Sequence, residues 1–185
     1  MKPQPNRLIR SIIALACFVA ALWVVNAAGL PSRALYTGQI NPDGSATAPE
    51  VDATAPNFTT LTLYGDAFEL RSTRGSPVIL NFWATWCVPC AIEMPELQAF
   101  HERYPDVRLI GINLSESRSV IAAWVTRGGY TFDIALDPSG EIARLYALRG
   151  QPTTIILSPG GVILQIIYGA TTRAALEGAL APFLG

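Results

Sequence analysis

The sequence predicts an α/β fold in which parallel crossovers come first and an antiparallel hairpin comes last. Short apolar runs, rich in β-branched and aromatic residues and too short to favour helices, recur from residue 78 onward. Segments with helical spacing separate the early runs, whereas only Ser158-Pro159-Gly160-Gly161 separates the last two. The order that results, β-α-β-α-β-α-β-β-α, is that of a sheet layered with helices.

The chain has 185 residues, 50% of them hydrophobic, and a formal net charge of -1. That suffices for one domain with a sizeable core and an appendage. Near-neutral charge and the lack of a basic stripe argue against a nucleic-acid partner. The appendage is at the front. Residues 1–10 form a basic flank with Lys2, Arg7 and Arg10, and residues 11–30 carry no charge. An uncharged stretch of that length crosses a bilayer once as a helix, with the basic flank cytoplasmic and the rest on the extracytoplasmic side. Trp23 falls near the outer end, where amphipathic rings prefer the interface. The rival is a cleaved signal peptide, with Ala27-Ala28-Gly29 as the cleavage region and a secreted domain as the product. A lipoprotein signal ending at Cys17 would leave only residues 11–16 as its apolar core. In all three cases the domain is exported; with the lipoprotein reading set aside, Cys17 reads as a small hydrophobe within the membrane. Residues 31–54 hold Pro31, Gly38, Pro42, Gly44 and Pro49 without periodicity, and read as a flexible tether.

The folded domain is expected over 55–185. Residues 58–63 and 67–70 flank Tyr64-Gly65-Asp66 as a hairpin, and 71–77 form a connection with one helical turn. A buried strand follows over 78–84, then a helix over 87–104 with Met94, Leu97, Phe100 and Tyr104 as its buried stripe. Pro95 removes a mid-helix hydrogen bond and predicts a kink. Residues 107–114 form the next strand. The helix over 119–127 carries Val120, Ala123 and Trp124 and stops at Gly128-Gly129. After a strand at 131–136 and a short helix at 141–148, strands at 153–157 and 162–168 pair as a hairpin. A helix over 174–184, interrupted by Pro182, closes the chain.

The chemistry centres on Asn81-Phe82-Trp83-Ala84-Thr85-Trp86-Cys87-Val88-Pro89-Cys90, a strand running into Cys-x-x-Cys. Cys87 falls at the strand-to-helix turn, where unpaired N–H groups and the helix dipole favour a thiolate and lower its pKa. Cys90 lies on the same helical face and can reach Cys87 to close a disulfide. Pro89 suits the first helical turn, where a missing N–H costs nothing. A zinc site would need two more ligands, but only Cys17 and His101 remain. A purely structural bridge over so short a loop would remove little unfolded-chain entropy. The pair therefore reads as a redox dithiol, with no metal and no other cofactor. His101, Asp133 and Asp137 show no catalytic spacing and read as surface.

Four blocks in order carry a resemblance: Ala55-Pro56-x-Phe58, the Asn81–Cys90 stretch, Glu93-Met94-Pro95-Glu96-Leu97, and Gly150-Gln151-Pro152-Thr153-Thr154. With them the chain resembles the thioredoxin superfamily, and within it the membrane-tethered, extracytoplasmic TlpA/ResA type of redoxin (AhpC/TSA-like) domain, with CcmG as a near relative. The resemblance covers about residues 55 to 185. It implies a thioredoxin-like central mixed sheet flanked by helices, with an N-terminal β-hairpin extension. Cys87 would open a partner's disulfide and Cys90 would resolve the mixed disulfide. Pro152 would be held in cis beside the dithiol, leaving the Gln151 backbone to pair with an extended substrate segment. Trp86, with Val88 and Pro89, would offer a docking rim, and Trp83 either shields the site or belongs to the core. Glu93, three residues past Cys90, would tune the cysteines and accept the Cys90 proton, against the alternative of a solvated helix carboxylate. Thioredoxins of the cytosol carry an aspartate six residues before the first cysteine. Asn81 stands there in this chain and cannot titrate, which shifts the acid–base role onto Glu93.

The resemblance implies a thiol–disulfide oxidoreductase that reduces envelope protein disulfides, as in cytochrome c maturation. Its partners would be disulfide-bearing proteins and a membrane electron donor of the CcdA/DsbD kind. A disulfide donor of the same mechanism is the alternative direction. A thiol peroxidase would need a Pro-x-x-x-Thr-x-x-Cys pattern, which Thr85 and Cys87 do not supply. A non-catalytic binding or chaperone module using the groove beside Pro152 is the remaining alternative.

Overall fold

The computed structural model describes residues 7–28, 38–42 and 45–184. The chain divides into two compact units between Ser32 and Arg33. The described residues of the first form the helix α1 (Arg7–Ala28), whose side chains Ile12, Leu15, Phe18, Val19 and Trp23 are exposed. Lys2, Gly29 and Leu30 of the expected flank and span lie outside the described residues. Among the described residues no helix is long and apolar enough to cross a membrane.

The second unit is built on a five-stranded sheet. Its strands are β5 (Val78–Trp83), β6 (Arg108–Leu114), β7 (Asp133–Asp137), β8 (Thr153–Leu157) and β9 (Ile163–Tyr168). They lie in the order β7-β6-β5-β8-β9, with β5, β6 and β7 parallel and β8 and β9 antiparallel. The helices are α2 (Val88–Arg103), α3 (Arg118–Gly128), α4 (Glu141–Leu145) and α5 (Arg173–Leu180). Two small hairpins precede the sheet: β1 (Gln39–Ile40) with β2 (Ala46–Thr47), and β3 (Thr59–Leu61) with β4 (Ala67–Glu69). The mixed sheet, its helical layers and the hairpin extension follow the sequence reading.

Alternation along β5 places the site. Val78, Leu80 and Phe82 face a core shared with Phe58, Phe68, Ile142 and Tyr146. Ile79 and Trp83 face the opposite core, with Met94, Leu97 and Phe100 of α2, Ile121 and Val125 of α3, and Leu176 and Leu180 of α5. Those that are fully buried, such as Leu80, Phe82, Ile79 and Leu97, each contribute about 1.5–3 kcal/mol relative to exposure. Asn81 shares the parity of Ile79 and Trp83, so its amide is delivered beneath α2. It is a polar side chain at the centre of an otherwise apolar row.

Several expectations are corrected. Residues 45–54 are part of the domain, not tether: Ala46, Ala48 and Ala53 are buried, and Thr54 bridges to both Thr47 and Val162. The reason is backbone pairing, since Ala53 and Asp52 exchange hydrogen bonds with Ile163 along the free edge of β9. On α3 the buried positions are Ile121 and Val125, while Val120 is exposed. Tyr104 lies at the end of α2 and is only half-buried. The closing helix ends at Leu180 and tightens into a 3-10 turn at Ala181–Phe183. Asp137 is buried, not surface, because its carboxylate accepts the Ile142 and Ala143 N–H groups at the start of α4. His101 is half-buried against Phe132.

Candidate active site

Past Trp83 the chain leaves the sheet through a four-residue turn, in which the Cys87 N–H donates to the Ala84 carbonyl at 3.3 Å. Cys87 then takes the N-cap position of α2 with extended backbone, and Pro89 falls in the first turn. The Cys90 N–H donates to Cys87 Sγ at 3.3 Å, so the sulfur occupies the place a capping oxygen normally fills. A thiolate at that position would gain from the same N–H and from the helix dipole. The two sulfurs form a disulfide with the Cα atoms 5.2 Å apart. The pair is asymmetric. Cys87 keeps 5% of its surface and Cys90 none, while Trp86 and Val88 are exposed beside them.

Strand pairing brings the second block to the same end of the sheet. Because β8 runs antiparallel to β5, with Phe82 opposite Thr153, the residues before β8 arrive where β5 gives way to the cysteine turn. The Gln151–Pro152 peptide there is cis. The Pro152 carbonyl is taken by the Gly169 N–H and the Gly150 carbonyl by the Thr153 hydroxyl. The Gln151 backbone has no hydrogen-bond partner among the described residues. An open cavity of about 330 Å³ borders this loop, between Gln151, Pro152, Arg149 and Tyr168.

Behind the disulfide lies a closed polar cluster. Glu93 sits in the buried stripe of α2, with 1% of its surface exposed. Its Oε1 accepts from Asn81 Nδ2 at 2.7 Å and its Oε2 from the Thr171 N–H at 2.9 Å. Asn81 Nδ2 also donates to Thr154 Oγ1, directly opposite on β8, at 3.0 Å. Burial pushes the Glu93 carboxyl above the ordinary glutamate value, against the pull of the Asn81 and Thr171 hydrogen bonds. Asn81 Oδ1 and Thr171 Oγ1 are buried without a hydrogen-bond partner.

Thus the structure brings Cys87, Cys90, Glu93, Trp86, Val88, Pro89, Gln151 and Pro152 to one end of the sheet. Trp83 belongs to the core, fully buried against Trp124. Thr154 and Thr171 were not anticipated. Thr154 falls inside the Gly150–Thr154 block, whereas Thr171 enters from the β9–α5 connection and carries no local signal. Glu116 was also missed: it accepts the Thr85 N–H at 2.7 Å, the Thr85 hydroxyl, and Asn113 Nδ2 at 2.8 Å. Among the described residues no His, Cys, Asp and Glu cluster gathers that could hold a metal ion.

Comparison with known proteins agrees with this geometry. Residues 51–166 match the AhpC/TSA family. The thiol-disulfide oxidoreductase ResA of Geobacillus kaustophilus is 34% identical over 179 residues, which are 96% of this chain and 95% of that protein. ResA of Bacillus thuringiensis subsp. konkukian is 32% identical over 176 residues, 94% of this chain and 95% of its own. A crystal structure of the thiol:disulfide interchange protein DsbE from Chlorobium tepidum superposes with a TM-score of 0.69 at 28% identity, covering 74% of this chain and 99% of that one.

Proposed function

Because the chain belongs to the AhpC/TSA family and is a thiol–disulfide oxidoreductase, we propose that it works as a reductase of protein disulfides outside the cytoplasm. One observation carries the direction of attack: Cys87 caps α2 at the exposed rim, while Cys90 is fully covered beside the buried Glu93 cluster. The Cys87 thiolate attacks one sulfur of the partner's disulfide. A new S–S bond joins Cys87 to that sulfur, and the other partner sulfur leaves as a thiolate. Cys90 then loses its proton to Glu93 and attacks Cys87, releasing the second partner thiol. The partner gains two electrons and two protons, and the Cys87–Cys90 dithiol becomes the disulfide.

The partner segment lies extended against Gln151 and Pro152, pairing with the free Gln151 backbone, with Trp86, Val88 and Pro89 as an apolar rim. Each turnover leaves the pair oxidised, so a thiol donor must restore it, and a membrane electron carrier of the CcdA/DsbD kind suits that role. The uncharged stretch 11–30 and the exposed apolar side chains of α1 support a single-pass anchor. Apocytochrome c would be among the envelope substrates. The reduction potential of Cys87–Cys90 tests the direction. A value near -270 mV, roughly that of thioredoxin, is expected of a reductase. One near about -120 mV would make the protein a disulfide donor.

A further inference from the structure

Glu116 lies on neither the cysteine helix nor the polar cluster behind it, yet its carboxylate organises the turn that delivers the nucleophile. Oε2 accepts from the Thr85 N–H at 2.7 Å and from Asn113 Nδ2 at 2.8 Å, and Oε1 accepts from the Thr85 hydroxyl. Thr85 is the second residue of the Ala84–Cys87 turn, so one carboxylate grips that turn by both its backbone and its side chain. Asn113 is buried and paired in register with Trp83, the last residue of β5. It therefore fixes the carboxylate to the sheet at the point where the turn departs. The backbone is bent to allow this. Ser115 adopts a φ of 58°, in the left-handed region that side chains other than glycine's disfavour. Its N–H is held by the Asp137 carbonyl at 3.1 Å, and the bend sends Glu116 back across the end of the sheet.

We propose that Glu116 is a positioning residue for the exchange reaction, holding Cys87 in place chiefly when the pair is a dithiol. This rests on the reading that Cys87 and Cys90 are redox-active. In the disulfide form Cys87 is tied covalently to α2 through Cys90. Reduction adds two electrons and two protons, breaks that S–S bond, and leaves the turn to its hydrogen bonds alone. Those are the Cys87 N–H to Ala84, the Ala91 N–H to the Cys87 carbonyl, the Cys90 N–H to Cys87 Sγ, and the grip of Glu116 on Thr85. Glu116 consequently stabilises the dithiol more than the disulfide. Removing it disfavours reduction and makes the potential more negative.

The test uses the full chain with Glu116→Ala, Glu116→Gln and Thr85→Val. The Cys87–Cys90 equilibrium is measured against glutathione, together with thermal unfolding of each redox form. Glu116→Ala is expected to lower the equilibrium constant for reduction about tenfold, as loss of charge-assisted hydrogen bonds in one state would. That corresponds to a potential about 30 mV more negative. The dithiol form should lose more thermal stability than the disulfide form. Glu116→Gln keeps an acceptor for the Thr85 N–H and should shift the potential by less than half as much. An unchanged potential in Glu116→Ala, with both redox forms weakened equally, would reduce Glu116 to a structural residue and overturn the proposal. If Glu116→Ala does not fold, Thr85→Val decides: a smaller shift in the same direction supports the proposal, and no shift overturns it. Failure of the unsubstituted pair to titrate reversibly would sink the redox reading itself, a separate result.

Discussion

Beside Cys87, Trp86 and Val88 turn 68% and 72% of their surface to solvent; one turn further along α2, Glu93 retains 1% and its partner Asn81 none. The exposed side is apolar and makes no side-chain hydrogen bonds, so it can accept many partner surfaces. The enclosed side is polar, and its hydrogen bonds join β5, β8, α2 and the β9–α5 connection. In the proposed mechanism recognition is therefore separated from proton handling, with the disulfide as the boundary. Cys87 belongs to the first side and Cys90 to the second.

The sharpest way to break the comparison is to remove one cysteine at a time. Cys90→Ser should lose turnover and accumulate mixed disulfides through Cys87, visible as higher-mass species on non-reducing gels that thiols dissolve. Cys87→Ser should lose turnover without trapping, because Cys90 is covered. Equal trapping by both variants would mean the two sulfurs are equivalent and the asymmetry of burial irrelevant.

Glu93→Gln comes next. If Glu93 takes the Cys90 proton, resolution of the mixed disulfide should slow by roughly a hundredfold, with initial attack by Cys87 much less affected. Stability should move the other way. Burial raises the Glu93 pKa above 4.5, so between that value and the raised one the native state binds more protons than the unfolded chain. Its contribution is full below 4.5 and is lost as pH rises through the folded value. Denaturant titrations should show the parent losing stability across that window, and Glu93→Gln lacking the slope. An identical pH dependence in both would place the carboxylate outside the titration. Asn81→Leu, similar in bulk, deprives Glu93 Oε1 and Thr154 Oγ1 of their shared donor. It should cost about 1–3 kcal/mol in denaturant unfolding.

Much of this is legible in the sequence. The strand–Cys-x-x-Cys–helix junction is local, and its residues share a few turns of chain. The β3–β4 and β8–β9 hairpins are marked by Tyr64-Gly65-Asp66 and Ser158-Pro159-Gly160-Gly161, so their pairing needs no long-range information, whereas the β1–β2 hairpin falls within the expected tether. Glu93 was readable as a spacing, and its burial follows from the stripe Cys90, Met94, Leu97 and Phe100 that it falls within. What escaped was non-local or main-chain. Thr171 meets Glu93 through a backbone N–H, which no side-chain pattern encodes. Glu116 reaches Thr85 only because Ser115 turns left-handed and β6 lies beside β5. Residues 45–54 looked like tether because pairing with the edge of β9 requires no apolar periodicity. The α3 stripe was misplaced by one position, since Val120 and Ile121 are both apolar and only packing chooses between them.

The smallest effect belongs to the exposed side. Trp86→Ala removes a ring that is 68% exposed, so unfolding should stay within about 0.5 kcal/mol of the parent. Its cost should fall on the encounter with protein substrates, where a truncated aromatic anchor is worth about 1–2 kcal/mol, roughly a tenfold loss in kcat/KM. The attack of the dithiol on a small-molecule disulfide bypasses the rim and should proceed at the parent rate. That contrast separates recognition from chemistry within a single variant. A rate lost equally on protein and small-molecule disulfides would instead tie Trp86 to the reactivity of Cys87, and the boundary drawn at the disulfide would have to move inward.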